Sequence, residues 1–204
     1  VGLPGTIDND IVGSSNTIGF DTAVNTALSA IDKIRDTASA HDRVFLVEVM
    51  GRTSAEIAIH VGISGGAETI VVPGKSQSQV VEELARSLKK STASGKLSSI
   101  VIVAEGGHPE FTYGLARDLK KKHGIDPRVA ILGYMHRGGS PTAKDRYMAS
   151  LMRVEAVQSI IDEKFDLSIG IVKGELTRIP FVKTVGKHKK VDDKLLKLAA
   201  ILAS

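Results

Sequence analysis

Cysteine and tryptophan are absent from the 204 residues. That excludes a disulfide framework and any cysteine-rich zinc site, and it points to a reducing, cytoplasmic setting. No apolar run approaches the roughly 20 residues that a membrane span needs, and no charged-then-apolar leader precedes Val1. No Pro/Gly/Ser linker, internal repeat or low-complexity tract interrupts the chain. Charge of one sign is also sparse. The net +4 arises partly from local clusters, Lys120-Lys121-Lys122 and Lys187-His188-Lys189-Lys190, rather than from a continuous basic stripe. These clusters read as solvated helix and loop faces, so neither a nucleic-acid partner nor a membrane is expected.

What is present is a hydrophobic content of 42%, enough for a packed core in one large or two small domains. Short β-branched runs at 44–49, 69–72, 99–104, 128–132 and 168–172 read as buried parallel strands. Between them, Phe20, Val24, Ala27, Leu28, Ile31 and Ile34 place an apolar stripe on one helix, and Val80, Val81, Leu84 and Leu88 do so on another. Further helices are predicted at 55–63, 113–122, 143–161 and 192–202, and 169–185 reads as a strand with an edge hairpin. This alternation specifies an α/β fold: an open, mostly parallel sheet with helices on both faces and right-handed crossovers.

In such sheets the binding crevice lies beyond the carboxyl ends of the strands, and here those positions are strongly polar. Thr6, Asp8 and Asp10 follow the first strand, Met50-Gly51-Arg52 a second, Glu105-Gly106-Gly107-His108 another, and Tyr134, His136, Arg137, Gly138, Gly139 and Ser140 the next. Phosphoryl transfer asks for cations on phosphate oxygens and a carboxylate within reach of the acceptor hydroxyl. Asp8 suits the carboxylate role. Arg52 and Arg137 suit the cationic one, because a planar guanidinium binds two phosphate oxygens at once. Each feature also has a plainer reading. Asp8 and Asp10 could be turn formers capping a helix that begins near Thr17, Arg52 could be a surface residue on an ordinary strand-to-helix turn, and Glu105 could simply be solvated. His108 and His136 would ordinarily be satisfied surface histidines, and their spacing offers no zinc pattern.

Taken together, Pro4-Gly5-Thr6-Ile7-Asp8-Asn9-Asp10, Met50-Gly51-Arg52, Gly65-Gly66-Ala67-Glu68 and Leu132-Gly133-Tyr134-Met135-His136-Arg137-Gly138-Gly139-Ser140-Pro141 resemble the 6-phosphofructokinase family in order and separation. The resemblance spans most of the chain, with the first and last motifs the most specific. It implies transfer of the ATP γ-phosphoryl group to the 1-hydroxyl of fructose 6-phosphate, with Mg2+, by a glycolytic, allosteric homotetramer. Asp8 would be the general base, and Thr6 would contact the sugar or the moving phosphate. Asp10 would hold the acidic loop and touch the metal indirectly, and Arg52 would stabilise charge on the migrating group. Met50 and Gly51 would line the sugar pocket, Glu105 would accept from a sugar hydroxyl, and Arg137 would bind the 6-phosphate. Tyr134 and His136 would add substrate contacts. Arg43 and Arg128 would reach the same phosphate across a subunit interface, and Arg35, Glu68 and Lys96 would form an effector site.

Some positions depart from the family pattern. Histidine is common where Tyr134 stands, glutamine where His136 stands, and lysine where Ser94 stands. Pyrophosphate-using members resemble Pro-Lys-Thr-Ile-Asp-Asn-Asp at the first motif, so Gly5 favours ATP. A pyrophosphate-dependent relative and a non-catalytic sugar-phosphate-binding module remain alternatives. The family's glycine-rich nucleotide turns lie upstream of the Thr6 to Asp10 motif, so the resemblance implies a fragment, inactive alone. Its divisions would be 1–18 as the end of a nucleotide-binding domain with the catalytic loop, 19–135 as the fructose 6-phosphate domain, and 136–204 as a return segment and C-terminal helix.

Overall fold

The computed structural model describes residues 1–39, 43–96, 98–106 and 110–203. The short strands β1 (Gly5–Thr6) and β2 (Ile18–Gly19) pair in parallel and lead into α1 (Phe20–Ser39). Then follow β3 (Val44–Val49), α2 (Glu56–Ser64), β4 (Thr69–Val71), α3 (Gln77–Ala93), β5 (Ser99–Ala104), α4 (Phe111–His123) and β6 (Arg128–Ile131). A 3₁₀ turn over Gly133–Arg137 precedes α5 (Ala143–Ile161), β7 (Leu167–Val172), β8 (Glu175–Pro180) and α6 (Asp193–Ala203). Every strand and helix expected from the periodicity is present with ends shifted by two residues or fewer, except that α1 runs on to Ser39 and α3 extends beyond the 80–88 stripe at both ends. The run at 168–172, expected among the parallel strands, instead forms β7, which pairs antiparallel with β8 in a hairpin outside the four-stranded sheet because the chain turns straight back at Lys173-Gly174.

The central sheet is parallel with strand order β4-β5-β3-β6. Its strands read as unbroken apolar runs because helices cover both faces. On β5, Ile100, Ile102 and Ala104 pack with Ala27 and Ile31 of α1 and Ile57 and Val61 of α2. Val101 and Val103 pack on the other side with Leu84 and Leu88 of α3 and Leu115 and Leu119 of α4. A third, smaller core joins Met148 and Met152 of α5 to Leu167 and Ile169 of β7. The order of strands reverses at β3, whose sequence successor β4 lies two places to one side while β6 lies on the other. Such a reversal opens a crevice at the carboxyl ends of β3, β5 and β6.

The capping of α1 differs from the plain reading of the acidic loop. Neither Asp8 nor Asp10 caps it; the carboxylate of Asp145, in the first turn of α5 and 2% exposed, does so. Asp145 accepts from Gly19 N at 3.0 Å, from Thr22 N at 2.8 Å and from the Thr22 hydroxyl. Thr142, the N-cap of α5, in turn donates through its hydroxyl to Asp21 at 2.7 Å, and Lys144 pairs with Asp21 at 3.2 Å. Two helix starts thereby satisfy each other's orphan N–H groups across 120 residues of sequence, leaving the two aspartates of the loop free for other chemistry.

The basic clusters divide. Lys120 and Lys122 pair with Asp126 and Asp118 on the exposed end of α4, as a solvated face should. Lys189 does not: it is half-buried against the acidic loop. Among the described residues no helix is long and apolar enough to cross a membrane.

Candidate functional site

The loop between β1 and β2 is knotted around Asn9. Its φ of 49° is a left-handed conformation that asparagine tolerates better than most residues, and its side chain is 2% exposed. The Asn9 Oδ1 accepts from Thr17 N and from Lys189 Nζ, both at 3.0 Å. Its Nδ2 donates to Ser15 O at 3.2 Å and to Glu56 Oε2 at 2.8 Å. All four bonds that an amide side chain can make are made, which fixes its orientation. With Asn9 turned inward, its neighbours Asp8 and Asp10 keep partial exposure on the opposite side of the chain. Thr6 braces the same turn, its hydroxyl accepting from Asp8 N at 3.2 Å and its carbonyl accepting from Thr17 Oγ1 at 2.6 Å.

The turn after β3 is bound to this loop. Gly51 has a φ of 148°, and a Cβ there would lie 2.6 Å from Ser54 O, so only glycine fits without displacement. Arg52 follows at a φ of 52°, exposed beside the crevice. Ser54 donates from Oγ to Asp8 O at 2.8 Å, and Glu56, in the first turn of α2, holds Asn9. Glu105, the residue after β5, bonds back through its N–H to Val49 O at 3.1 Å, while its carboxylate accepts from the Gly51 N–H. In β3, Glu48 accepts from Thr112 Oγ1 at 2.6 Å, which anchors the start of α4 to the same edge.

The electrostatics bring these groups into one site. Burial pushes the Asp8 carboxyl above its ordinary range and Asp10 pushes the same way, while Arg52 and Arg137 pull it back down. Glu105 is also raised, by burial first and then by Glu48 and Asp8, against the Gly51 hydrogen bond and Arg52. Four carboxylates and two guanidinium groups from four separate segments therefore act on one another at the carboxyl edge of the sheet. The plain reading of Glu105 as a simply solvated group does not hold.

The 3₁₀ turn after β6 delivers Arg137, stacked with its guanidinium carbon 5.6 Å from the centre of the Tyr134 ring. Tyr134 is 80% exposed. His136 is not a surface histidine. It is 2% exposed, its Nδ1 donates to Gly133 O at 2.9 Å, and its Nε2 is buried with no partner. Burial lowers its pKa, so the ring is held neutral with an unmet lone pair, a cost of about 1–3 kcal/mol for a buried polar group.

Other expected residues lie elsewhere. Arg43 precedes β3 and Arg128 opens β6 opposite Phe45, both at the amino edge of the sheet and roughly 20 Å, the length of β3, from its carboxyl edge. Arg35 donates to the carbonyls of Gly65 and Gly66. Glu68 accepts from Ile100 N at 2.5 Å, and Lys96 donates to Ala203 O at 3.1 Å. Glu68 also lines a cleft of about 650 Å³ between α3, β4 and α6, together with Lys90, Ser94 and Asp193. His108, and the 40–42 stretch before Arg43, lie outside the described residues. Among the described residues no group of three His, Asp or Glu side chains converges as a metal-binding set.

Comparison with known proteins accords with this geometry. The phosphofructokinase family model matches residues 1–160. The ATP-dependent 6-phosphofructokinase 1 of Thermus thermophilus is 47% identical over 203 residues, covering 100% of this chain and 62% of its own length. That of Cytophaga hutchinsonii is 46% identical over 200 residues, covering 98% and 60%. The chain thus spans about 62% of the length of the curated relatives it matches. Among solved structures, phosphofructokinase from Saccharomyces cerevisiae superposes with a TM-score of 0.84 at 32% identity, covering 99% of this chain and 27% of that one. A pyrophosphate-dependent phosphofructokinase from Marinobacter aquaeolei superposes at 0.74 and 21% identity over 98% and 59%, a likeness of fold alone.

Proposed function

This chain belongs to the phosphofructokinase family, and on that premise we propose that it carries the sugar-phosphate site and catalytic base of an ATP-dependent 6-phosphofructokinase. The reaction moves the γ-phosphoryl group of ATP to the 1-hydroxyl of fructose 6-phosphate. The observation that carries this reading is the placement of Asp8, a half-buried carboxylate within the fields of both Arg52 and Arg137. A carboxyl raised above its usual range is a better proton acceptor than an ordinary one.

In this reading the sugar 1-oxygen bonds to the γ-phosphorus as the bond to the bridging oxygen of ADP breaks. Asp8 takes the hydroxyl proton, and Arg52 meets the negative charge spread over the transferred group. Thr6 contacts the sugar or phosphate, Met50 and Gly51 line the sugar pocket, Glu105 accepts from a hydroxyl, and Arg137 binds the 6-phosphate, with Tyr134 stacked beside it. His136, buried with its Nδ1 bonded to Gly133 O, would add a substrate contact from within the same turn. Arg43 and Arg128 would serve a neighbouring subunit's phosphate in a homo-oligomer. Mg2+ fits the donor set, since it keeps several waters and is commonly held by one or two carboxylates plus substrate phosphates; Asp10 would hold it indirectly through metal-bound water, and the ion would neutralise phosphate charge. Arg35, Glu68 and Lys96 would serve an effector site, of which Glu68 lines the cleft between α3, β4 and α6. The division at 18 and 135 is retained, with the four-stranded sheet inside 19–135. The same reading makes the protein a cytoplasmic enzyme of glycolysis.

ATP is favoured over pyrophosphate by Gly5, around which a Cβ would meet nothing within 4 Å. That space accepts a nucleotide, and a lysine would fill it. In the complete polypeptide, turnover with ATP and not with pyrophosphate is expected, and Gly5→Lys should depress the ATP rate. Arg137→Ala should raise KM for the sugar phosphate about tenfold or more with a smaller change in kcat, since it removes a contact already present in the ground state. Asp8→Asn should lower kcat by about 10²–10⁴ with little change in sugar binding. Wild-type turnover in Asp8→Asn would overturn the reading.

A further inference from the structure

We infer that Lys189, from the segment between the hairpin and α6, is a positioning residue for the catalytic loop, acting on Asp8 through Asn9. The inference rests on the function proposed above.

Residues 188 and 189 lie alongside the acidic loop as a strap. Ile11 and His188 form an antiparallel bridge, Lys189 N donates to Asp10 O at 2.9 Å, and His188 Nδ1 lies 3.0 Å from Asp10 Oδ2. These backbone contacts steer the Lys189 side chain inward, where Nζ donates to Asn9 Oδ1 at 3.0 Å and to Ser15 O at 3.2 Å. Its ammonium is countered by Glu56 and Asp10, which offset part of the cost of burial. Glu56 holds the other end of the same Asn9 amide, so Lys189 and Glu56 clamp one side chain from opposite sides. The clamp is polar and directional. Donors face only the Oδ1 side and acceptors only the Nδ2 side, which excludes a flipped amide.

Asn9 stands between the two aspartates in a left-handed conformation that an unbraced residue would readily leave. Once the inward hold on Asn9 is loosened, the peptide linking it to Asp8 can rotate, and the carboxylate loses its aim at the acceptor hydroxyl. The phosphate contact of Arg137 is made from a different segment and is unaffected. Lys189 should therefore govern kcat much more than KM, although its ammonium touches no substrate.

The test is a coupling cycle in the complete polypeptide with Lys189→Met, Asn9→Ala and the double variant, alongside Asp8→Asn and the exposed Lys187→Ala as references. Lys189→Met is expected to lower kcat about tenfold while KM for fructose 6-phosphate stays within about twofold. The double variant is expected to be no slower than Asn9→Ala alone, because both substitutions remove one device. Amide exchange at Thr17, whose N–H is held by Asn9 Oδ1, should accelerate about tenfold or more in Lys189→Met, with Lys187→Ala unchanged. If Lys189→Met does not fold, Lys189→Gln, which keeps a shorter donor, carries the same cycle. A kcat within about twofold of wild type, additive losses in the double variant, or unchanged exchange at Thr17 would overturn the inference. Failure of the proposed function would register separately, as wild-type turnover in Asp8→Asn. The exchange measurement needs no turnover and would still decide whether Lys189 holds the loop.

Discussion

Asp8 carries two opposing demands at the scale of a single residue. Its pKa lies above the ordinary 3.8, with burial the largest cause and Asp10 the next, so ionising it in the folded protein works against stability. The direction follows from linkage. A carboxyl raised on folding favours the folded state only while it is protonated, and that contribution is lost as pH rises through its folded pKa. Asp8→Asn is therefore expected to raise the thermal midpoint at neutral pH and to lose that advantage below about pH 3.8. Melting curves of both proteins between pH 3 and 8 check this; a lower midpoint at pH 7 would contradict it. The same shift places the acid limb of kcat/KM at a higher pH than an ordinary aspartate would give, because the base must be unprotonated to work. His136 shows the converse: a ring kept neutral by burial, with one nitrogen unmet.

Among the elements, the start of α1 is the most interdependent. Its cap is supplied by Asp145 from α5, and α5 is capped by Thr142, which also binds Asp21 of α1. Asp145→Ala removes three hydrogen bonds at once and leaves Gly19 N and Thr22 N without their partner. It should cost about 2 kcal/mol or more, beyond the range of an exposed cap, because the carboxylate is buried. Urea unfolding monitored by circular dichroism measures it, and a loss under about 0.5 kcal/mol would show that the cap carries little. Gly51 matters in a related way. Its backbone lets β3 turn sharply enough for Ser54 to reach Asp8 and for Glu56 to reach Asn9, so the start of α2 serves as a bracket for the acidic loop.

For the whole molecule, the parallel sheet separates two sets of arginines. Arg52 and Arg137 stand at the carboxyl edge with Asp8, whereas Arg43 and Arg128 stand at the opposite, amino edge. If the amino-edge pair serves a neighbouring subunit, mixtures of Asp8→Asn and Arg128→Ala proteins, each nearly inactive, should recover activity when refolded together. The mixed assembly would then contain sites with both an intact Asp8 and an intact Arg128. No recovery above the sum of the two parents would exclude a shared site.

The strands, the helices and the α/β class were legible in the sequence because burial on both faces of a parallel strand leaves an unbroken apolar run, and an amphipathic helix leaves a 3.6-residue stripe. The residues at the strand ends were legible too, since motif order and chemical type survive in one dimension. The Asp145 cap, the clamp of Glu56 and Lys189 on Asn9, and the burial of His136 were not. Each depends on partners tens to hundreds of residues apart, and a lysine in a basic run carries no local mark of whether its ammonium faces water or a carbonyl. Sequence alone determined which chemical groups gather at the carboxyl edge, because strand direction places them there. Tertiary structure decided which of those groups are aimed at one another, because aim is set by hydrogen bonds made between distant segments.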